Sequence, residues 1–436
     1  MDFVRDVVNQ HISSYKVKVA QTASDYFAGY NSTIMNYNKF VYNLMGKKVP
    51  DIWSPNHKIA CHYYRYFIIQ EALYLLGNGV SFGDAETKAK LGKDFDKHVT
   101  KVAIDALNAG EAYAFWNVDH IEVFPIYDGV NHSYFAPLQD EENGYIRAGV
   151  RSWQLDSNKP QRYTLYEEDG YTDYIKRTGE EMEVLNEKRP YIQIVERSEA
   201  AGEQISDGMN YPNFPIVPLY NVGQRSELDG NREAIDALDL MMSTLVNNID
   251  NAEVIYWIIK NAGGMDDIDD QRFVERLKTM HVVHTEGDEE VDAHTVNVPF
   301  EASETAIARL RSTLFDNFMA LDVKEIASGA ATATEIKAAY EPLNSKVDLF
   351  EMQVTEFING ILALAGIDDM PSYTRSVIVN KQEEIQSVLL AAEHLSDDYV
   401  TAKLLELLGD IDKVDEVMED KLNGEAERFT TDEEVE

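Results

Sequence analysis

The stretch from Thr332 to about Ala365 constrains this 436-residue chain most. Ile336, Tyr340, Leu343, Val347, Phe350, Val354 and Ile358 recur every three or four residues, which places them on one side of an α-helix. Some 33 residues at about 1.5 Å each make a rod of roughly 50 Å. Thr332 with Glu335 three residues on has the form of a capping box, which satisfies orphan amide groups at a helix start. Pro342 lies inside the pattern and predicts a kink, because its nitrogen has no hydrogen for the carbonyl of Ala338. An apolar stripe of this length must be covered, either by the chain's own core or by another subunit.

Other textures surround it. To about Leu107 the chain reads as mostly helical, with an apolar segment over Tyr63 to Leu76 and a polar amphipathic one from Asp84 to Leu107. From Glu111 to about Val222 come short alternating runs rich in Tyr, Val and Ile, broken by turn clusters such as YDGVN, DEENG and EEDG. That pattern predicts an antiparallel meander closing with PYIQIVE and PIVPLYNV. After Gly230 a second helix carries Ile235, Leu238, Met242, Leu245 and Ile249 on one face. VIYWIIKNAGG then reads as a strand ending in a glycine turn, and the residues up to Pro299 are mixed. Helix returns with Ile307, Leu310, Leu314, Phe318 and Leu321, and stops at Ser328 and Gly329. From Lys381 the chain is helical and acidic, and the composition of its end, GEAERFTTDEEVE, predicts no packed structure.

Charge limits function. Seventy-seven acidic side chains face thirty-nine basic ones, for a net charge of −38. Gripping nucleic acid requires Lys and Arg to neutralise phosphates, so tight overall DNA binding is excluded. Two readings remain: acidity that keeps a soluble protein dispersed, or a surface that DNA passes without sticking. No run of about 18 apolar residues exists and the first residues lack the apolar core of a signal peptide, so a cytoplasmic start and no membrane partner are expected. The single cysteine, Cys61, fits a reducing compartment.

Chemical motifs are weak. Gly79-Val80-Ser81-Phe82-Gly83 matches the nucleophile-elbow pattern, which would make Ser81 the nucleophile of a cytoplasmic serine hydrolase. That motif needs a strand before it, a helix after it, and later strand-helix units to supply Asp and His; a meander follows instead. No phosphate-binding loop is present. His281, His284 and His294 beside Asp288, Glu289 and Glu290 have metal-site residue types, but the plainer reading is a solvated acidic loop; Asp266, Asp267, Asp269 and Asp270 read as a polar turn. No catalytic residue, metal or cofactor is expected.

The order helix, compact insert, returning helix, glycine-marked loop and very long helix, with several local strings, resembles the portal proteins of long-tailed phages infecting Gram-positive bacteria. Asn56 to Phe82, NHKIACHYYRYFIIQEALYLLGNGVSF, looks like the family's early helix and its leucine-glycine-asparagine turn, although Gly79 stands where proline is frequent. Asp25-Tyr26 with Gly29 resembles its tyrosine-glycine motif. Phe214 to Asp250, FPIVPLYNVGQRSELDGNREAIDALDLMMSTLVNNID, is similar to the strand leading into the first stem helix, and Ile326 to Glu351 looks like the tunnel loop and the helix behind it. The resemblance spans about Asp25 to Ala365.

The resemblance implies an α+β portal fold of wing, stem, clip and helical crown, built from long α-helices and an antiparallel β meander. Residues 1–230 would form the wing, 231–253 the first stem helix, 254–299 the clip and 300–322 the second stem helix. Residues 323–332 would form the tunnel loop, 333–380 the long kinked helix and its return to the wing, and 381–436 the crown and acidic tail. Val323, Lys324, Glu325, Ser328, Gly329 and Thr332 would face the DNA channel, and Ile235, Leu238, Met242, Leu245, Ile307, Leu310, Leu314 and Phe318 would pack the stem. The implied function is a non-enzymatic head-tail connector, a homo-oligomeric and commonly dodecameric ring at a capsid vertex. Double-stranded DNA would pass through it in packaging and ejection. Its expected partners are terminase, a head-tail adaptor, and major capsid and scaffolding proteins, with assembly in host cytoplasm and final residence in the virion. Another acidic connector or scaffold protein would share the ring but not the helix-insert-helix order.

Overall fold

The computed structural model describes residues 1–408 apart from 43–45, 53, 130–132, 141, 143, 199–201, 253–254, 261–289, 296–299, 328–332 and 377–380, together with 413–414 and 417–418. It combines long helices with antiparallel sheets, the α+β class expected.

The chain opens with helices α1 (Asp2–Ser13), α2 (Tyr15–Ala28) and the single turn α3 (Ser32–Met35). Ser14 caps α2 by accepting from the Val17 amide, and Gly29 ends it with φ +88°. Two bonds close that end, Tyr30 N–H to Asp25 O and Gly29 N–H to Tyr26 O. A Cβ at Gly29 would sit 2.2 Å from the His62 ring, so both conformation and space require glycine. The hairpin β1 (Phe40–Tyr42) and β2 (Lys48–Pro50) precedes α4 (Tyr63–Leu76), then β3 (Val80–Phe82), α5 (Thr87–Lys90) and α6 (Phe95–Ala109). The single amphipathic helix expected from Asp84 to Leu107 is therefore two. The chain turns at Gly92, whose φ of +94° no helix permits.

Ten strands follow. β4 (Glu111–Asn117) and β5 (His120–Pro125) form a hairpin that β13 (Ile216–Tyr220) completes, in the order β13-β4-β5. β6 (Tyr134–Gln139), β7 (Ile146–Gln154), β8 (Gln161–Glu167), β9 (Gly170–Lys176) and β10 (Met182–Arg189) form a five-stranded meander, each beside its predecessor. β11 (Ile192–Ser198) pairs with β12 (Gly202–Met209). β4 is covered on both faces: Ala112, Ala114 and Trp116 join the main core, while Tyr113 and Phe115 meet Phe124, Phe135, Tyr166 and Tyr191 in a second one.

Helix α7 (Arg232–Ala252) leads to β14 (Ile255–Lys260), paired antiparallel with β15 (Glu290–Thr295), and then to α8 (Phe300–Asn317), α9 (Val323–Ala327) and α10 (Ala333–Ala365). The stripe expected on α10 is its buried face, since Tyr340, Leu343, Val347, Phe350, Val354 and Ile358 are each at most 4 % exposed. Each such side chain contributes roughly 1.5–3 kcal/mol of burial. The helix is not interrupted at Pro342, an exposed position, where water can satisfy the carbonyl that loses its donor. β16 (Pro371–Tyr373) pairs with β3 across almost three hundred residues and brings the chain back to its first third. α11 (Lys381–Ala391) and α12 (Asp397–Leu408) then pack on one another.

Candidate functional site

Helices α7 and α8 pack side by side, joined at one end through the β14–β15 pair. The stripe expected on α7 is buried only at Ile235 and Leu238; Met242 and Leu245 are half-buried and Ile249 is exposed. What α7 buries further along is polar: Asp239, Ser243 and Asn247, one per turn. These three serve the extended segment 57–61. The Cys61 amide donates to Asp239 Oδ1 at 2.8 Å, that of Ile59 to Ser243 Oγ at 3.0 Å, and that of His57 to Asn247 Oδ1 at 2.7 Å. Four residues of helix rise about 6 Å and two of extended chain about 6.6 Å, so three successive rungs fit. Each bond gives one of the three buried side chains its partner, and a buried polar group left without one costs about 1–3 kcal/mol. Above the ladder Asn31 Nδ2 donates to both Asp236 and Asp239, and Tyr26 Oη donates to Asp236 at 2.5 Å. Arg232 Nε in turn reaches that Tyr26 oxygen at 3.3 Å. The tyrosine-glycine motif is thus a joint between the N-terminal helices and α7.

On α8, Ile307 and Leu310 are half-buried, while Leu314 and Phe315 are buried, the Phe315 ring centre lying 5.0 Å from that of Phe67 on α4. Phe318, one residue past the helix end, is also buried and stacks on Phe67 with ring centres 4.4 Å apart. The helix closes with Ala320 N–H to Phe315 O and Met319 N–H to Asp316 O, a motif whose left-handed residue is Met319. The turn after it is bolted to α4. Gln70 donates through Nε2 to Leu321 O and accepts through Oε1 from Leu321 N, both at 2.9 Å. Arg311 pairs with Asp322 at 2.5 Å, and Asp322 also accepts from the Lys324 amide, capping α9. Within the tunnel loop expected at 323–332, Val323, Lys324 and Glu325 to Ala327 form a short helix, because a capping aspartate precedes it. Val323 and Lys324 are exposed. Ser328, Gly329 and Thr332, with the capping box, lie outside the described residues. Beside α9 an apolar groove of about 340 Å³ runs between α4 and α10, lined by Tyr66, Leu73, Leu321 and Val323 among others.

The long helix is locked to this assembly by a buried charged trio. Lys346 Nζ lies 2.6 Å from Glu71 on α4 and 2.7 Å from Glu227, just before α7. Burial pushes the Glu71 carboxyl well above the usual carboxylate range, against the attraction of Lys346. Burial works against the Lys346 ammonium too, but Glu71 and Glu227 outweigh it and raise its pKa. Sequence reasoning missed this trio and the α7 ladder; their members stand up to nearly three hundred residues apart and have the types found on solvated faces.

The enzymatic alternative finds no support in the geometry. Ser81 is the middle of a three-residue strand paired with Ser372, not the apex of a strand-to-helix turn. Burial first, then the Asp239 carboxylate, pushes the Cys61 thiol up to about 12, which leaves little thiolate at neutral pH. His281, His284, Asp288, Glu289 and the aspartates at 266–270 lie outside the described residues, and among the described ones no cluster of potential metal ligands occurs. No described helix is long and apolar enough to cross a membrane.

A paired-helix unit with a strand pair between its two helices is thus anchored on a mixed helical and sheet body. The family model for phage portal protein, SPP1 Gp6-like, matches residues 9–428, and the chain belongs to that family. It is 23 % identical over 360 residues to the portal protein of Clostridium phage phiCD119, covering 76 % of this chain and 77 % of the relative. It is 22 % identical over 375 residues to the portal protein of Bacillus phage SPP1, covering 80 % and 72 %. Among solved structures it is similar to chains in the neck of a native GTA particle computed with twelvefold symmetry, at TM-score 0.38, 12 % identity and coverage of 78 % and 87 %. The neck of an empty GTA particle, computed with sixfold symmetry, gives TM-score 0.41, 12 % identity and coverage of 79 % and 90 %. The Gram-positive portal resemblance drawn from the sequence is thereby established. The chain is thus a member of the phage portal proteins.

Proposed function

We propose that copies of this chain form a ring, commonly of twelve, whose axial channel passes double-stranded DNA into the capsid during packaging and out of it at ejection. In this reading α7 and α8 are the stem, and the segment containing β14 and β15 is the clip that meets terminase and later a head-tail adaptor. Residues 323–332 approach the duplex, 1–230 form the wing toward capsid and scaffolding proteins, and 381–436 form the crown. Assembly takes place in host cytoplasm, and the chain itself carries no catalysis.

The observation that carries the proposal is the pair α7 and α8, held together, joined through a strand pair at one end and handing on at the other to a turn clamped by Gln70. Charge supplies the physics of passage. Duplex DNA bears about one negative charge per 1.7 Å, and steady translocation requires that no point along it be a deep well. A chain of net charge −38 offers a wall that repels phosphate and keeps the duplex centred. Light scattering coupled to size exclusion tests the assembly: a particle many times the 49.5 kDa chain mass is expected, unchanged by Ser81→Ala. A particle that stays at the mass of one chain at every protein concentration would overturn the proposal.

A further inference from the structure

The hairpin β1–β2 is one of four two-stranded sheets among the described residues. Among the described residues its strands pair only with each other, in register Phe40 to Pro50, Val41 to Val49 and Tyr42 to Lys48. Neither strand has a buried face, and an isolated two-stranded ribbon is at best marginally stable in water. Yet its surface is apolar and aromatic: Tyr42 is 75 % exposed and Ile52 79 %, and Tyr37, Phe40 and Val41 are exposed beside them. Its charge is also reversed. From Phe40 to Pro50 the sequence has Lys47 and Lys48 and no acidic residue, in a chain with nearly twice as many acidic as basic side chains. Lys48 lies over the Phe40 ring at 4.2 Å, so cation and aromatic share one surface.

We infer that this hairpin is the arm with which one copy of the chain docks on the acidic surface of the next. The inference rests on the ring proposed above. Two copies that each carry −38 repel on approach, and a basic ribbon is where like chains meet with complementary charge. The partner is a protein surface rather than duplex DNA, because phosphates would engage the lysines but leave Val41, Tyr42 and Ile52 in water. Docking buries the ribbon's bare faces and so completes a structure that the single chain leaves without a core.

The test compares the full-length chain with a Tyr42→Ser, Lys48→Glu variant, both positions being exposed and opposite one another. Sedimentation gives the protein concentration for half-assembly, and thermal melting of the dispersed chain checks folding. The variant is expected to need at least tenfold more protein to assemble, with its melting unchanged. Assembly at the wild-type concentration would overturn the docking role and leave the ring standing. A wild-type chain that never assembles would overturn the ring, and the arm with it. Hydroxyl-radical footprinting of the wild type decides the matter independently of the variant's folding: Tyr37 to Ile52 should be protected in the assembled particle relative to the dispersed chain. Equal labelling in both states, or protection that appears only when duplex DNA is added to the dispersed chain, would overturn the proposal.

Discussion

Met319 holds a φ of +50° at the position where helices ending in its motif usually carry glycine. A side chain there costs about 1 kcal/mol or more, and Met319 recovers little of it because it lies exposed at the end of α8. Met319→Gly is therefore expected to stabilise the chain by about 0.5–1 kcal/mol, read as a higher denaturant midpoint at constant slope. Asp369 illustrates the opposite economy. It accepts hydrogen bonds from the Thr87 hydroxyl and from the amides of Asp84, Met370 and Gly83, which hold its carboxyl down at about 2. A carboxyl whose folded pKa lies below its unfolded value stabilises above the unfolded value, near 4, and that contribution disappears as pH falls toward 2. Asp369→Asn should thus lower the melting temperature at pH 6, and the difference should shrink as the pH drops below about 4. A difference independent of pH would contradict the assigned cause.

At the scale of elements, α4, α7, α8 and α10 are held by a few polar joints set into apolar packing. Lys346→Met leaves Glu71 and Glu227 without their cation, and breaking a buried pair from one side costs about 3–5 kcal/mol. Because burial raises the Glu71 pKa, its charged form is the costly one. The penalty should grow as pH rises through neutrality and fall toward pH 5, and adding Glu71→Gln should recover much of it. Urea melts of the single and double variants at two pH values check this; equal penalties at both would contradict it. These joints explain which parts of the fold were legible in the sequence. The α10 face was, because Tyr340 to Ile358 bury a stripe with helical period. The buried face of α7 was not: Asp239, Ser243 and Asn247 also recur every four residues, but their types signal water rather than a backbone to be satisfied. Nor was the pairing of β3 with β16, three residues each, which local pattern cannot specify over such a separation. The α9 turn was hidden because Asp322 reads equally as loop or cap until Arg311 and Lys324 are seen around it.

For the whole molecule, electrostatics sets the conditions of assembly. Like-charged chains must be brought together against repulsion, whose range grows as salt is removed: the Debye length is about 10 Å at 0.1 M and about 30 Å at 0.01 M. The proposed ring should therefore weaken at low ionic strength, with the concentration for half-assembly rising as salt is diluted; indifference to salt would count against an acidic chain meeting copies of itself. Membership of the portal family was legible in the order of helices and in the strings around Tyr26 and Asn231, whereas the number of copies was written in no single chain. Image averaging of the assembled particle tests the central claim most directly. A portal ring is expected to show an open axial hole whose walls are α7 and α8 of each copy, with the turn after Leu321 directed at the axis. A particle with no axial passage, or one in which α7 and α8 lie on the outer rim, would contradict it.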